Sequence, residues 1–275
     1  MQKEMNIEFK DGEDGEEFEI WVYPKKKVKK NKESEVITAE KFTQSQSHGL
    51  FWDSEIRDKV FGLGQCINDT KKYDIEAEEN KFDPEENVSI KTSSNNNIDC
   101  SDIMRFFNGD FSKKYTIILI RYEQKSDTKC VKEIIEIAYT SVLRDHLFGT
   151  ISGEVLQQYV DFVKAIPSGP VTEEIKKEYK FKKNALQKEY NMSINISPKV
   201  DSKSQRRVQC SIPKVDQLLE QFPEIIISRS TEPIVRNVPI SAQIKSEPRV
   251  RNKKIKYVFL DELKSELISD LNDTI

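Results

Sequence analysis

Asp74, Ser89 and Lys91 are the residues whose types and spacing can do chemistry. Residues 72–78 and 87–93 read as two strands joined by NKFDPEEN, whose Asp-Pro favours a turn. Neighbouring strands bring such residues to one edge, and the two-residue period puts Ser89 and Lys91 on one face. Metal-assisted phosphodiester hydrolysis uses a divalent cation to polarise the phosphate and lower the pKa of an attacking water. A carboxylate at Asp74 suits Mg²⁺, which prefers hard oxygen ligands and keeps several waters. Lys91 beside it would orient the water and stabilise the extra charge on the pentavalent phosphorus. Spacing alone reads the same pair more simply, as a salt bridge between strands.

Trp52, Ile56 and Val60 recur every four residues, which predicts a helix with Asp53 as its N-cap and Gly62 as its stop. Glu55 flanks that apolar stripe. It either points inward at the edge of the core or pairs with Lys59 one turn on. Further along, Lys199, Lys203, Gln205, Arg206, Arg207 and Gln209 gather in SPKVDSKSQRRVQCSI. Arginine suits guanine O6/N7 in the major groove and glutamine suits adenine N6/N7. On a strand, Arg206 and Arg207 would face opposite ways, so at most one reads a base while the other meets a phosphate or carboxylate. The plainer reading is a basic surface loop.

Charge is distributed unevenly. The chain carries a net −3, yet residues 171–260 hold 19 Lys/Arg against 10 Asp/Glu. A cationic segment on a nearly neutral protein fits a polyanionic partner, because attraction to phosphate follows local potential. A lysine-rich solvated surface accounts for it equally well. The run PKKKVKKNK at 24–32 resembles a short nuclear-import signal or is a solvated linker.

Taken in order, SHGLFWDSEIRDKVFG, YDI, VSIKTS and SPKVDSKSQRRVQCSI resemble the restriction-endonuclease-like nucleases and their Asp…(Asp/Glu)-x-Lys signature. The similarity spans roughly residues 47–212. Its last segment resembles the late DNA-contacting segment of small type II restriction endonucleases that cut four-base sites. The resemblance implies Asp74 as a metal ligand, Lys91 as the catalytic lysine, the Ile90 carbonyl as a further metal contact and Glu55 as a supporting carboxylate. The implied cofactor is Mg²⁺ and the implied partner is double-stranded DNA. A DNA methyltransferase would be the functional partner, and a homodimer is compatible. Ser89 departs from the pattern, standing where the family most often has Asp or Glu. Glu76 and Glu78, on Asp74's face of a strand, could compensate, or form a solvated acidic strand. An inactive DNA-binding relative and a nuclear-targeted scaffold stand as alternatives.

These residues need a scaffold. YTIILIRYE at 115–123 is apolar on both faces and predicts a central strand. Residues 98–107, 152–166 and 172–190 read as helices, and short strands are expected near Ile194 and 208–212. Residues 130–139 suit either a helix or a hairpin partner of the central strand. The expected fold is α/β: a mixed sheet with helices on both sides and a C-terminal part of short strands. The expected division is 1–34 as hairpin and basic linker, 35–170 as catalytic core and 171–275 as recognition region. Hydrophobic residues make up 36% and charged residues 33% of 275, which points to wide charged surfaces. Two histidines, His48 and His146, argue against zinc enzymes with His clusters, and His48 reads as a turn residue. Four scattered cysteines, no signal-peptide core and no long apolar run predict an intracellular protein with reduced thiols.

Overall fold

A computed structural model describes residues 5–10, 19–24, 47–64, 72–201 and 205–245. The backbone gathers into two compact units, Phe42–Pro248 and Met1–Lys41 with Arg249–Ile275. In the second unit, β1 (Met5–Lys10) and β2 (Glu19–Pro24) form the expected antiparallel hairpin.

The larger unit begins with α1 (Ser47–Glu55), which runs on into a wider π turn at Ile56–Phe61. Gly62 at φ 75° ends it, as expected of a residue free to enter the left-handed region. The start differs from the expectation: Asp53 lies inside the helix and is not its cap. Then come β3 (Glu86–Ser93), β4 (Asn97–Asp102), α2 (Ile103–Phe107), β5 (Lys114–Lys125) and β6 (Thr128–Ala138). Helices α3 (Ser141–Phe148), α4 (Gly153–Lys164) and α5 (Glu173–Glu189) lead to β7 (Asn195–Val200) and β8 (Arg206–Pro213). The described chain closes with α6 (Val215–Gln221), β9 (Ile226–Ser230), the small hairpin β10 (Ile234–Val235) and β11 (Val238–Pro239), and β12 (Gln243–Lys245).

The main sheet has the order β12-β6-β5-β3, with β9 also pairing β6. β3 and β5 are parallel and the other pairs antiparallel, so the sheet is mixed. β5 is central and buried on both faces, as its sequence predicts. Ile117 and Leu119 join one core with α2, α3, α4, β4, β7 and β8. Ile118 and Ile120 join a second core with Val88, Ile90 and the Trp52-Ile56-Val60 stripe. The α/β class is therefore observed. The first core runs through both 35–170 and the strands after 171, so β7 and β8 pack into the same unit as the sheet. Among the described residues, no helix is long and apolar enough to cross a membrane.

Two further sequence expectations fail locally. Only Ile75 pairs with Val88, after which the chain turns through a 3₁₀ segment at Ala77–Glu79. The Asn87 side chain explains this, because its Oδ1 accepts the Ala77 N–H at 2.9 Å and draws it off the strand path. Residues 98–107 split into strand and helix. Ile98 and Cys100 alternate with exposed neighbours, and Asp102 then caps α2 by accepting the Arg105 N–H at 2.9 Å. The ambiguous 130–139 segment is β6, the hairpin partner of β5.

Candidate active site

The site is built on the free edge of β3. Val88 exchanges both backbone hydrogen bonds with Ile75, at 3.0 and 2.8 Å. Two residues on, Ile90 presents its N–H and C=O to the same side. Its N–H meets no strand and donates to Asp74 Oδ2 at 2.6 Å, while the carbonyl opens on the same edge. Lys91 Nζ lies 3.4 Å from that carboxylate oxygen. The side chains are 22% and 29% exposed, so the pair is reachable from solvent but partly desolvated. Burial works against the Lys91 charge, yet Asp74, with Cys100 and Asp53, outweighs it and holds the ammonium above its ordinary pKa.

Ser89 shares the Lys91 face, as the strand period requires. It is buried and its Oγ accepts the Tyr115 hydroxyl at 3.1 Å; burial pushes the Tyr115 pKa up, so that hydroxyl keeps its proton. A polar cavity of about 130 Å³ opens here, lined by Lys72, Asp74, Ser89, Lys91, Asp102 and Arg105 among others. Position 89 thus presents to the cavity a neutral hydroxyl held by a tyrosine.

An anion arrives from elsewhere. Asp53 on α1 lies within electrostatic reach of Asp74 and Lys91. Its Oδ1 is buried with no hydrogen-bond partner. Burial first, and then the Asp74 charge, push its pKa up to about 7, against opposing pulls from Lys91 and Arg57. Glu55, which the sequence reading assigned to this place, is committed to other partners. Its carboxylate accepts the Ser241 N–H at 3.0 Å, the Ser241 hydroxyl at 2.7 Å and Lys59 Nζ at 2.6 Å. Burial opposes its charge, but the Lys59 and Ser241 bonds prevail and lower its pKa. Glu55 therefore fastens α1 to the chain entering β12 instead of supporting Asp74. Sequence reasoning missed Asp53 by starting the helix there. An aspartate inside a helix and beside its apolar stripe is unfavourable by propensity, and that was the available signal. Glu78 does not compensate either: it lies exposed on the 3₁₀ turn, paired with Lys113.

Asp53, Asp74 and the Ile90 carbonyl form a set of hard oxygens of the kind Mg²⁺ takes together with waters. The unpartnered Asp53 oxygen is the observation that fits a cation. Among the described residues, no group of three or more His, Cys, Asp or Glu could hold a metal by itself. Two carboxylates and a carbonyl match the sparse protein share of a Mg²⁺ shell, not a closed structural site.

The second expected cluster divides. Arg206 Nε and Nη1 donate to the carbonyls of Ile166, Asp201 and Gln205 at 2.9, 2.7 and 2.8 Å, and Nη2 donates to Pro167. That guanidinium locks the β7–β8 hairpin to the end of α4. Arg207 faces the other way, exposed, directly across from the exposed Lys199. Gln209 pairs in register with Ser197 on one side and Asp102 on the other. Since Asp102 also lines the cavity, the polar face of this sheet begins at the cavity wall. Gln205 is exposed at the hairpin end. Lys203, residues 25–32 and the His48 side chain lie outside what is described. Searches against protein-family models, curated proteins and solved structures return no match.

Proposed function

We propose that this protein is a Mg²⁺-dependent nuclease that hydrolyses phosphodiester bonds of duplex DNA at specific sites, in the manner of a type II restriction endonuclease. The observation that carries the reading is the meeting of Asp74, Lys91 and the Ile90 carbonyl at one open strand edge, with an unpartnered carboxylate from Asp53 beside them. When bound there, Mg²⁺ would supply a polarised phosphate and a water of lowered pKa. Asp74 and Asp53 would hold it, and the Ile90 carbonyl would complete the protein's share of ligands.

Lys91 keeps its proton at neutral pH, so its part is electrostatic. It orients the attacking water and stabilises the charge that grows on the phosphate. The Ile90 N–H fixes the Asp74 carboxylate, so the ligand needs little reorganisation. Arg207, Lys199 and Gln209 contact the DNA, and Arg206 holds their hairpin in place. A methyltransferase that protects the same sites belongs to this proposal as the functional partner.

Plasmid digestion in Mg²⁺, compared with EDTA, tests it. Asp74→Ala and Lys91→Ala should each lower cleavage by at least ~10²–10³-fold, comparable to losing one preorganised charge-stabilising group. Both variants should keep DNA binding in Ca²⁺. Digestion by Lys91→Ala at the wild-type rate removes the nuclease assignment from this site. Binding without cleavage in the wild type leaves the inactive DNA-binding relative that Ser89 permits.

A further inference from the structure

Two of the four cysteines meet where the cavity wall joins the β7–β8 hairpin. β4 and β8 pair antiparallel, with a bulge between Asp99 and Ser101. Cys100 is the extra residue, so Cys100 and Ser101 together oppose Cys210. A bulge of this kind turns Cys100 to the same side as Cys210, the buried side of the pair. Both side chains belong to the same buried core, where the Cys100 thiol donates to the Ile98 carbonyl at 3.5 Å, and burial, with Cys100 beside it, pushes the Cys210 thiol pKa up. Cross-strand neighbours have Cβ atoms about 4.5–5.5 Å apart, only slightly beyond what a disulfide spans.

The two thiols differ in access. Cys210 is 1% exposed and packed in the main core; Cys100 is 8% exposed and also lines the cavity that holds Lys91 and Asp74. A small solute entering the cavity meets Cys100, while Cys210, its neighbour across the bulge, does not line the cavity. Cys130 is partly exposed but belongs to β6, on the main sheet.

We propose that Cys100 and Cys210 form a redox-active pair, in which a peroxide oxidises Cys100 and Cys210 resolves it to a disulfide. In the first step the Cys100 sulfur attacks a peroxide oxygen. The O–O bond breaks, giving a sulfenic acid and, from hydrogen peroxide, one water. In the second step the Cys210 sulfur attacks the Cys100 sulfur and the S–O bond breaks. The hydroxyl leaves with the Cys210 proton as a second water. Two thiols lose two electrons and one peroxide gains them.

Closing the bond draws the bulge of β4 toward β8. Ser101 and Asp102, which follow it, line the cavity, so its wall shifts against Lys91. Resting on the nuclease reading, this makes the oxidised form a poor enzyme that a reductant restores.

The test treats the full chain with hydrogen peroxide and maps its thiols by peptide mass spectrometry without reduction. The expected product is a Cys100–Cys210 linked peptide that dithiothreitol abolishes. Cys210→Ala should stop at the Cys100 sulfenic acid, trapped by dimedone. Cys100→Ala should leave Cys210 intact while Cys130 stays accessible. Circular dichroism on each variant shows that the fold is retained, and alkylation of native wild type gives the same ranking of the thiols without substitution. A link that forms only in denaturant, or oxidation of Cys130 without any Cys100–Cys210 link, overturns the proposal. This mapping needs no cleavage activity. A linked peptide in a protein that never cuts DNA sinks the nuclease reading alone.

Discussion

The two ends of β3 carry opposite electrostatic designs. At its start, Glu86 is buried and every bond is closed. It accepts Thr116 at 2.6 Å, Arg236 at 2.7 Å and Asn80 at 2.8 Å. Arg236 reaches on to Glu136 at 3.2 Å, and its guanidinium lies 5.2 Å from the ring centres of both Phe61 and Phe82. Burial opposes the Glu86 charge, but the Arg236 and Thr116 bonds prevail and lower its pKa. At the other end, Asp74 and Lys91 sit at a loose 3.4 Å, and Asp53 keeps a buried oxygen without a partner. One end has the finished geometry of a structural brace. The other holds charge that its own neighbours do not satisfy, which is the condition a binding site needs before its ligand arrives.

The sharpest way to break this contrast is to open the closed end. Arg236→Met would leave Glu86 and Glu136 facing each other without a cation. Removing one partner of a buried pair costs about 3–5 kcal/mol, so urea unfolding should show a loss of that size. Arg236→Lys should recover only part of it, because a point charge cannot bond both carboxylates in the same fork. A loss below about 1 kcal/mol for Arg236→Met would mean the brace is no stronger than a surface pair.

At the open end the sign reverses. Asp53 has a pKa of about 7 in the fold against an ordinary value of 3.8. Below pH 3.8 the carboxyl is protonated in both states and costs nothing. As pH rises from there to about 7, the unfolded chain ionises while the fold holds its proton, so stability falls; above 7 the penalty is constant. Asp53→Asn removes that penalty. In buffer free of divalent cations, its gain over wild type should be larger at pH 8 than at pH 5 by on the order of 2–3 kcal/mol. Thermal unfolding at the two pH values measures this. Added Mg²⁺ should narrow the difference by stabilising wild type at pH 8 and not the variant. Equal gains at both pH values would place Asp53 outside any strained charge cluster.

The closed end and the open end were also unequally legible in the sequence. The strand edge was legible: the period of two put Ser89 and Lys91 on one face, and β5 announced itself as central through an unbroken apolar run. Asp53 was hidden by one boundary. An apolar stripe marks a helix face well and its first turn poorly, so the expected start at Asp53 falls six residues after the true one at Ser47. Glu55 and Ser241 meet across 186 positions, and nothing local in either segment records the pairing. The brace was less visible still. Arg236 and Asn237 form the turn between β10 and β11 with φ of 49° and 66°, a conformation that favours glycine or asparagine. Arginine takes the first position because its guanidinium is required at Glu86, a long-range demand that overrides turn propensity.

The smallest effect distinguishes two adjacent residues on β8 and bears on how far the open design extends. Arg206 is closed, like Arg236: its donors are taken by backbone carbonyls at the end of α4 and within its own hairpin. Arg207 is open, exposed across from Lys199 on the face that continues to Gln209 and the cavity wall. Arg206→Ala should therefore act on the fold, destabilising it by about 1–2 kcal/mol as carbonyls lose their donors. DNA affinity at low temperature, where the variant is folded, should change little. Arg207→Ala should leave urea unfolding unchanged and weaken DNA binding. If it touches a phosphate, the slope of log affinity against log salt falls by about 0.9 on every sequence. If it reads a guanine, about 1–3 kcal/mol is lost on the cognate site alone and discrimination relaxes at one base pair. Salt titrations on cognate and scrambled duplexes separate the two. The reverse pattern, with Arg206→Ala losing affinity at full stability and Arg207→Ala binding normally, would mean the hairpin turns its other face to the nucleic acid.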